Sequence, residues 1–244
     1  MQLKFHQLTS AGNRELNQDY MAHIIQDDYA LFVVADGLGG HYGGEKASRF
    51  FCQGLMQCAP AYSKRMVQNP PETFSAWIAA AVAEMKTLFC GDTALYEAHT
   101  TCAILYLDKR LVLTGHCGDS RIYRMNPRQI LWRSKDHSIP QQLLQQGRIS
   151  EQEVGRHPEQ NVLTRSLTAD KAHKVEINLY PGVKKGETFI VCSDGFWGAI
   201  KEAELLHLAQ LCSGKVELGK LAGLSVLRSN GKADNSTVQW IRCL

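Results

Sequence analysis

Asp36, Asp119, Asp194 and Asp234 each stand where an apolar, β-type run of the sequence stops or starts. Carboxylates are the side chains that hard divalent cations prefer. The runs are Tyr29 to Ala35 ahead of Asp36, Leu111 to Cys117 ahead of Asp119, Glu187 to Ser193 ahead of Asp194, and Ser236 to Cys243 after Asp234. Strand ends gathered on one edge of a sheet would turn the four carboxylates into a common cleft. A lone aspartate at a strand end is ordinarily a turn former, because its side chain bonds nearby backbone. Three of these four carry more than that role requires: Asp36 opens Asp-Gly-Leu-Gly-Gly-His, Asp119 lies in Gly-Asp-Ser-Arg, and Asp194 lies in Ser-Asp-Gly. Glycine beside a carboxylate lets backbone approach a ligand closely, so that a carbonyl joins the coordination shell.

The elements that must position these residues are legible as periodicities. Segments near 2 to 9, 20 to 26 and 29 to 35 read as strands, followed by a glycine-rich loop from Gly37 to Gly44. Ala47, Phe50, Phe51, Leu55 and Cys58, then Phe74, Trp77, Ile78, Ala81, Val82, Met85 and Leu88, recur at helical spacing, and Pro70 and Pro71 precede the second helix, where proline is tolerated. Short strands follow at Thr101 to Leu107, Leu111 to Cys117, Arg121 to Met125 and Ile130 to Arg133, with Asp108 and Lys109 at a hairpin tip. Residues 138 to 165 are polar and Gln-rich with short helical pieces, a flap over the cleft or a plain surface excursion. Strands resume at Lys174 to Leu179 and Glu187 to Ser193, helices cover 202 to 211 and 215 to 228, and a last strand follows Asp234. Strand runs alternating with helix pairs favour α+β over a doubly wound sheet.

Composition bounds the remainder. A chain of 244 residues can bury a substantial core, and nothing in its middle reads as a linker, so a single domain spanning 1–244 is expected. A hydrophobic fraction of 44% and a charged fraction of 21% are those of an ordinary globular protein. A formal net charge of +3, without a dense Lys/Arg cluster, does not point to nucleic acid. No stretch reads as a signal peptide or a membrane span. The eight cysteines are scattered, without any Cys-x-x-Cys, which favours buried thiols over disulfides or zinc and suggests the cytoplasm.

The chain resembles the protein phosphatase 2C family, the metal-dependent Ser/Thr phosphatases, in its compact bacterial form. The matching pieces are Asn-Arg-Glu-Leu-Asn-Gln-Asp (13 to 19), Val-Ala-Asp-Gly-Leu-Gly-Gly-His (34 to 41) with Gly44 to Ser48, His-Cys-Gly-Asp-Ser-Arg-Ile-Tyr (116 to 123), Asp-His-Ser (136 to 138), His157-Pro158 through Arg165, Val-Cys-Ser-Asp-Gly-Phe-Trp (191 to 197) and Asp-Asn-Ser-Thr (234 to 237). They run in the family's order over nearly the whole chain. The resemblance implies an αββα sandwich of two antiparallel sheets flanked by helices, with a flap near 138 to 165. It implies that Asp36 bridges two Mn²⁺ or Mg²⁺ ions, that the Gly37 carbonyl serves the first, and that Asp194 and Asp234 hold the second. Asp119, with Asp194, matches a third-metal site, and Arg14 would grip the substrate phosphate. Gln18 and Asp19 would lie just behind the metals.

A phosphomonoester dianion repels an approaching hydroxide, so the site must offset negative charge and supply a nucleophile near neutral pH. Two divalent ions do both by lowering the pKa of a shared water and clamping oxygens for in-line displacement. Arginine suits the phosphate because its planar fork donates two parallel hydrogen bonds and stays charged. Three positions depart from the family's pattern. Some relatives carry a histidine two residues after the bridging aspartate, where this chain has Leu38; Gln18 stands where glutamate is frequent; Gly198 stands where an acidic residue is common. His41, His116 and His137 read as structural hydrogen-bonding groups rather than catalysts. Ser120 and Ser193 are unnecessary as nucleophiles beside an activated water, and the four tryptophans read as core or rim residues. The expected partners are phosphorylated proteins, including a eukaryotic-like Ser/Thr kinase and its targets, met by a cytoplasmic monomer without nucleic acid or membrane. Two alternatives are a catalytically silent binder of phosphoproteins and a phosphatase of small phosphate esters.

Overall fold

Strands form where the apolar runs stand. The computed structural model describes residues 2–38, 43–170 and 174–244, so Gly39, Gly40 and His41 of the glycine-rich loop lie outside the described residues. In chain order the strands are β1 (Leu3–Ser10), β2 (Asp19–Ile25), β3 (Tyr29–Leu38), β4 (His99–Thr100), β5 (Cys102–Asp108), β6 (Leu111–Cys117), β7 (Arg121–Asn126), β8 (Gln129–Arg133), β9 (Glu176–Pro181), β10 (Thr188–Cys192) and β11 (Ser236–Cys243). The α-helices are α1 (Gly44–Tyr62), α2 (Pro70–Leu88), α3 (Ile139–Gln145), α4 (Glu151–Val154), α5 (Asp194–Trp197), α6 (Glu202–Leu205) and α7 (Lys215–Arg228). Chain contacts divide the molecule into two compact units, one built from residues 18–117 and 166–183, the other from 2–17, 118–165 and 184–244.

The first unit holds an antiparallel sheet in the order β2-β3-β5-β6-β9, with β4 paired to the end of β3. β3 and β5 are its middle strands and are buried along nearly their whole length, as their uninterrupted apolar runs require. Leu31, Val33, Ile104 and Tyr106 meet the stripe of Phe51 and Leu55 on α1 and Phe74, Trp77 and Ile78 on α2. Trp77 settles its only polar atom by donating Nε1–H to the Leu55 carbonyl at 2.8 Å. Asp108 closes the β5–β6 hairpin, its Oδ1 accepting from the backbone of Arg110 and Leu111 at 2.6 and 2.8 Å.

The second unit holds an antiparallel sheet in the order β1-β11-β10-β7-β8. β11, in the middle, is buried throughout. Ile190, Cys192, Val238 and Trp240 pack with Phe196 and Trp197 of α5, Leu205 of α6 and Leu218 of α7. Trp240 donates to the Leu208 carbonyl at 2.9 Å. The α+β class expected from the strand and helix pattern is the one observed: two antiparallel sheets with helices on them.

Some boundaries differ from the sequence reading. Asp36 does not end its strand, because β3 runs on to Leu38 through pairing with β4. The helix expected over 202 to 211 is one α-helical turn continuing as a 3₁₀ segment at Leu206–Ala209. Asp194 opens an unanticipated helical turn, α5. The 138 to 165 segment contains α3 and α4 and is anchored at both roots: Ser138 bridges Leu163, and Ile139 N–H donates to the Val162 carbonyl at 3.0 Å.

Candidate metal and phosphate site

In the first unit the strand register sets one carboxylate against another. Asp19 on β2 and Asp36 on β3 are directly opposed cross-strand partners, so their side chains share a face. Like charges so placed are destabilising unless something positive sits with them, which makes the pair suited to a cation. Backbone around Asp36 is tightly held: its N–H donates to Thr101 Oγ1 at 2.9 Å, and its carbonyl accepts from Thr100 Oγ1 at 3.0 Å and Thr101 N–H at 2.8 Å. Gly37 N–H donates to the Gln18 carbonyl at 3.1 Å, and Ser48 Oγ donates to the same carbonyl at 2.6 Å. A β-carbon on Gly37 would lie 2.2 Å from the Gly44 carbonyl oxygen. This glycine thus permits β3 to approach the start of α1. Leu38 faces His99 across the β3–β4 pair, and His99 Nδ1 lies 2.7 Å from Ser166 Oγ. A histidine therefore shares the face of Leu38 by a route the linear motif did not reveal.

The second unit assembles the remaining residues from both ends of the chain. Because β1 and β11 pair antiparallel, the segment after β1 lies beside the segment before β11. Asn13 and Ala233 exchange bonds, with Asn13 N–H donating at 2.9 Å and Asn13 Oδ1 accepting at 3.0 Å. The buried Asn235 amide donates to the carbonyls of Ala11 and Leu16, both at 3.0 Å. These ties carry Arg14 to Asp234: the guanidinium donates to Asp234 Oδ2 at 2.9 Å, while Oδ1 accepts from Asn235 N–H at 2.8 Å.

Asp194 reaches the same place through β10. Ser193 N–H donates to the Thr237 carbonyl and Ser193 Oγ accepts from Thr237 N–H, each at 3.0 Å. Ser193 is thus a clamp between β10 and β11, in keeping with the reading that it is no nucleophile. A β-carbon on Gly195 would sit 2.1 Å from the Asn235 carbonyl oxygen and 3.3 Å from Asp234 Cβ. The glycine after Asp194 permits the close approach of one chain segment to another. Arg14, Asp194 and Asp234 all line one cleft of about 690 Å³.

Asp119 lies behind Asp194. It is 4% exposed, its Oδ1 has no hydrogen-bond partner among the described residues, and its backbone carbonyl accepts from Trp197 Nε1–H at 2.9 Å. Burial, then the nearby Asp194 and Asp136 carboxylates, push the Asp119 carboxyl well above the usual range. An unpartnered buried carboxylate oxygen beside a second carboxylate fits a bound divalent cation. Trp197 is itself held by the buried Arg121 guanidinium, 3.3 Å from its ring centre. Arg121 also grips Asp136 with two bonds of 2.7 and 2.6 Å.

His137 is tied to the Gly118 backbone. Its N–H donates to the Gly118 carbonyl at 2.7 Å and its Nδ1 accepts from Gly118 N–H at 3.2 Å. A β-carbon on Gly155 would lie 2.7 Å from the Gly198 carbonyl oxygen, whereas one on Gly198 would meet the Asp194 carbonyl oxygen at 3.0 Å. The 138 to 165 segment packs backbone to backbone on α5 there. The sequence reading assigned no role to Asn235, Thr100 or Thr101, although Asn235 lies inside a quoted motif, and it took Trp197 only as a core or rim residue.

A family model described as protein phosphatase 2C matches residues 9–214. The serine/threonine phosphatase stp of Listeria welshimeri is 27% identical over 219 residues, covering 87% of this chain and 84% of that protein. The crystal structure of the Mycobacterium tuberculosis serine/threonine phosphatase PstP/Ppp matches 99% of this chain and 98% of its own, with TM-score 0.82 and 22% identity. The PstP catalytic domain in complex with 2 manganese ions matches with TM-score 0.78 and 22% identity over 98% of this chain and 97% of its own. Together these define the class, a protein serine/threonine phosphatase. The chain belongs to the protein phosphatase 2C family, in its bacterial form.

Proposed function

We propose that residues 1–244 act as one phosphatase domain that hydrolyses phosphoserine and phosphothreonine in proteins by direct attack of water, without a phosphoenzyme. Asp36, Asp194, Asp234 and the Gly37 carbonyl would hold two Mn²⁺ or Mg²⁺ ions, and Asp119 with Asp194 a third. When bound, such ions offset phosphate charge and ionise a water near neutral pH. Arg14 would take the outer phosphate oxygens through its planar fork. Gln18 and Asp19 would orient water at the edge of the site. Asn13 and Asn235 keep the Arg14 segment in place, so the phosphate is positioned before reaction rather than during it.

The observation that carries this reading is the cleft that Arg14, Asp194 and Asp234 share, with the unpartnered Asp119 oxygen behind it. The family model, which spans segments of both units, supports the single domain. We further propose a cytoplasmic monomer opposing a eukaryotic-like Ser/Thr kinase. No two cysteines are disulfide-bonded, and no described helix is long and apolar enough to cross a membrane.

The test is phosphopeptide hydrolysis with Mn²⁺, Mg²⁺ or chelator, alongside Asp36→Asn and Asp194→Asn. Chelation and each variant are expected to cut turnover by about two orders of magnitude or more. Calorimetry should show fewer Mn²⁺ ions bound by each variant. Undiminished turnover in chelator would overturn the metal mechanism.

A further inference from the structure

We propose that the cleft holding Arg14, Asp194 and Asp234 selects phosphorylated residues flanked by acidic side chains, an inference that rests on the phosphatase reading. Five cations line it: Arg14, Arg156, Lys201, Arg228 and Lys232. Two are committed. Arg14 pairs with Asp234, and Arg228 grips Glu204 with bonds of 2.7 and 2.8 Å while donating to the Ala199 carbonyl at 2.9 Å.

Arg156, Lys201 and Lys232 are exposed and have no ion pair among the described residues. They come from three separate stretches: Arg156 from the segment after α4, Lys201 from the residue before α6, and Lys232 from the turn two residues ahead of Asp234. Among the described residues Asp194 and Asp234 are the only carboxylates on the lining, and the phosphatase reading commits both to metal. No carboxylate of the lining is left to neutralise Arg156 or Lys232, and the Glu204 carboxylate near Lys201 is already gripped by Arg228.

Size and lining point the same way. A cleft of about 690 Å³ is far larger than one phosphate needs and lies within the roughly 300–1,000 Å³ usual for ligand pockets, leaving room for neighbouring residues. Gln160, Asn161 and Asn230 on the wall offer amides suited to peptide backbone. Among the described residues no aromatic side chain lines it, so they offer no stacking platform of the kind that single-stranded nucleic acid requires. Unpaired cations around a concave site attract and orient anionic chains, giving selectivity that weakens with salt.

The experiment uses three phosphothreonine peptides of one core sequence with acidic, neutral or basic flanks, measured with Mn²⁺ beside a small aryl phosphate. At low salt kcat/KM for the acidic peptide should exceed that for the neutral one by about tenfold, mainly through KM, and the ratio should shrink as NaCl rises. Charge reversal in an Arg156→Glu, Lys201→Glu, Lys232→Glu variant should bring the ratio to one or below. Single Gln substitutions, each checked by circular dichroism, should lower it stepwise and guard against misfolding of the triple variant. Fluorescence anisotropy with non-hydrolysable phosphonate analogues and metal-free protein should give the same ranking without turnover. Equal kcat/KM for the acidic and neutral peptides, or a preference that survives the triple variant, would overturn the proposal. Absence of turnover on every substrate would sink the phosphatase reading instead, and the anisotropy ranking would still decide this one.

Discussion

Asp234 and Arg14 stand 220 residues apart in sequence yet share a hydrogen bond, and Asn235 is the side chain that makes this possible. Asn235→Ala leaves the Ala11 and Leu16 carbonyls without their donor. It is expected to cost about 1–3 kcal/mol in urea denaturation, the penalty of stranding buried polar groups, and to raise KM for phosphopeptide as Arg14 loses its anchor. Arg14→Lys keeps the charge but loses the fork, so KM should rise by about tenfold with a smaller change in kcat. Trp197→Phe keeps a ring under Arg121 but removes the donor to the Asp119 carbonyl. Weaker Mn²⁺ binding at Asp119, read by calorimetry, is the expected result. Sequence motifs singled out Asp119, Asp194 and Asp234, and the structure sets Asp194 and Asp234 on one cleft. They were silent on Asn235 because its role lies in carbonyls it meets only through the β1–β11 pairing.

At the scale of elements, α1 and α2 pack against one another through Gly54. A β-carbon there would lie 2.6 Å from the Ala81 carbonyl oxygen and 2.9 Å from Glu84 Cβ. Gly→Ala in an exposed helix usually stabilises, but here the methyl must push two helices apart. Gly54→Ala should destabilise by about 1–3 kcal/mol in a denaturant melt. The Glu204–Arg228 pair ties the start of α6 to the end of α7. Hydrogen bonds from Arg228, opposed by slight burial and aided by the Lys201 backbone N–H, hold the Glu204 carboxyl down at about 2 against an ordinary 4.5. A depressed carboxyl stabilises the fold fully above pH 4.5 and loses that contribution as pH falls toward 2. Glu204→Gln should therefore unfold at a lower temperature than the parent at pH 7, and the gap should narrow steadily between pH 5 and pH 2. The helix expected to continue to 211 tightens into 3₁₀ geometry after Leu205, a change of hydrogen-bond partner that apolar spacing does not encode.

On the scale of the whole molecule, neither compact unit is a continuous stretch of chain. The first takes its edge strand β9 from residues 166–183, and the second takes β1 from the N-terminal segment and β11 from the last residues. A fragment of residues 18–117 lacks β9 and would bare β6, whose Leu111–Cys117 run is almost wholly buried. It should aggregate rather than fold, as judged by size exclusion and near-UV circular dichroism. In the intact chain, metal that binds the folded state alone must stabilise it by mass action, about 2.7 kcal/mol at a hundredfold excess over Kd. Mn²⁺ should accordingly raise the melting temperature, and Asp36→Asn or Asp194→Asn should blunt that rise.

Periodicity and motif order alone determined the α+β class and nearly every strand and helix, and singled out the carboxylates and the arginine proposed for the site, because burial direction and turn chemistry are local properties of a chain. Tertiary structure alone decided that Asp19 opposes Asp36, that Gly195 admits the Asn235 backbone, and that Arg14 meets Asp234. Those pairings depend on which strands are neighbours and in what register, and shifting any strand by one residue would turn every side chain to the other face.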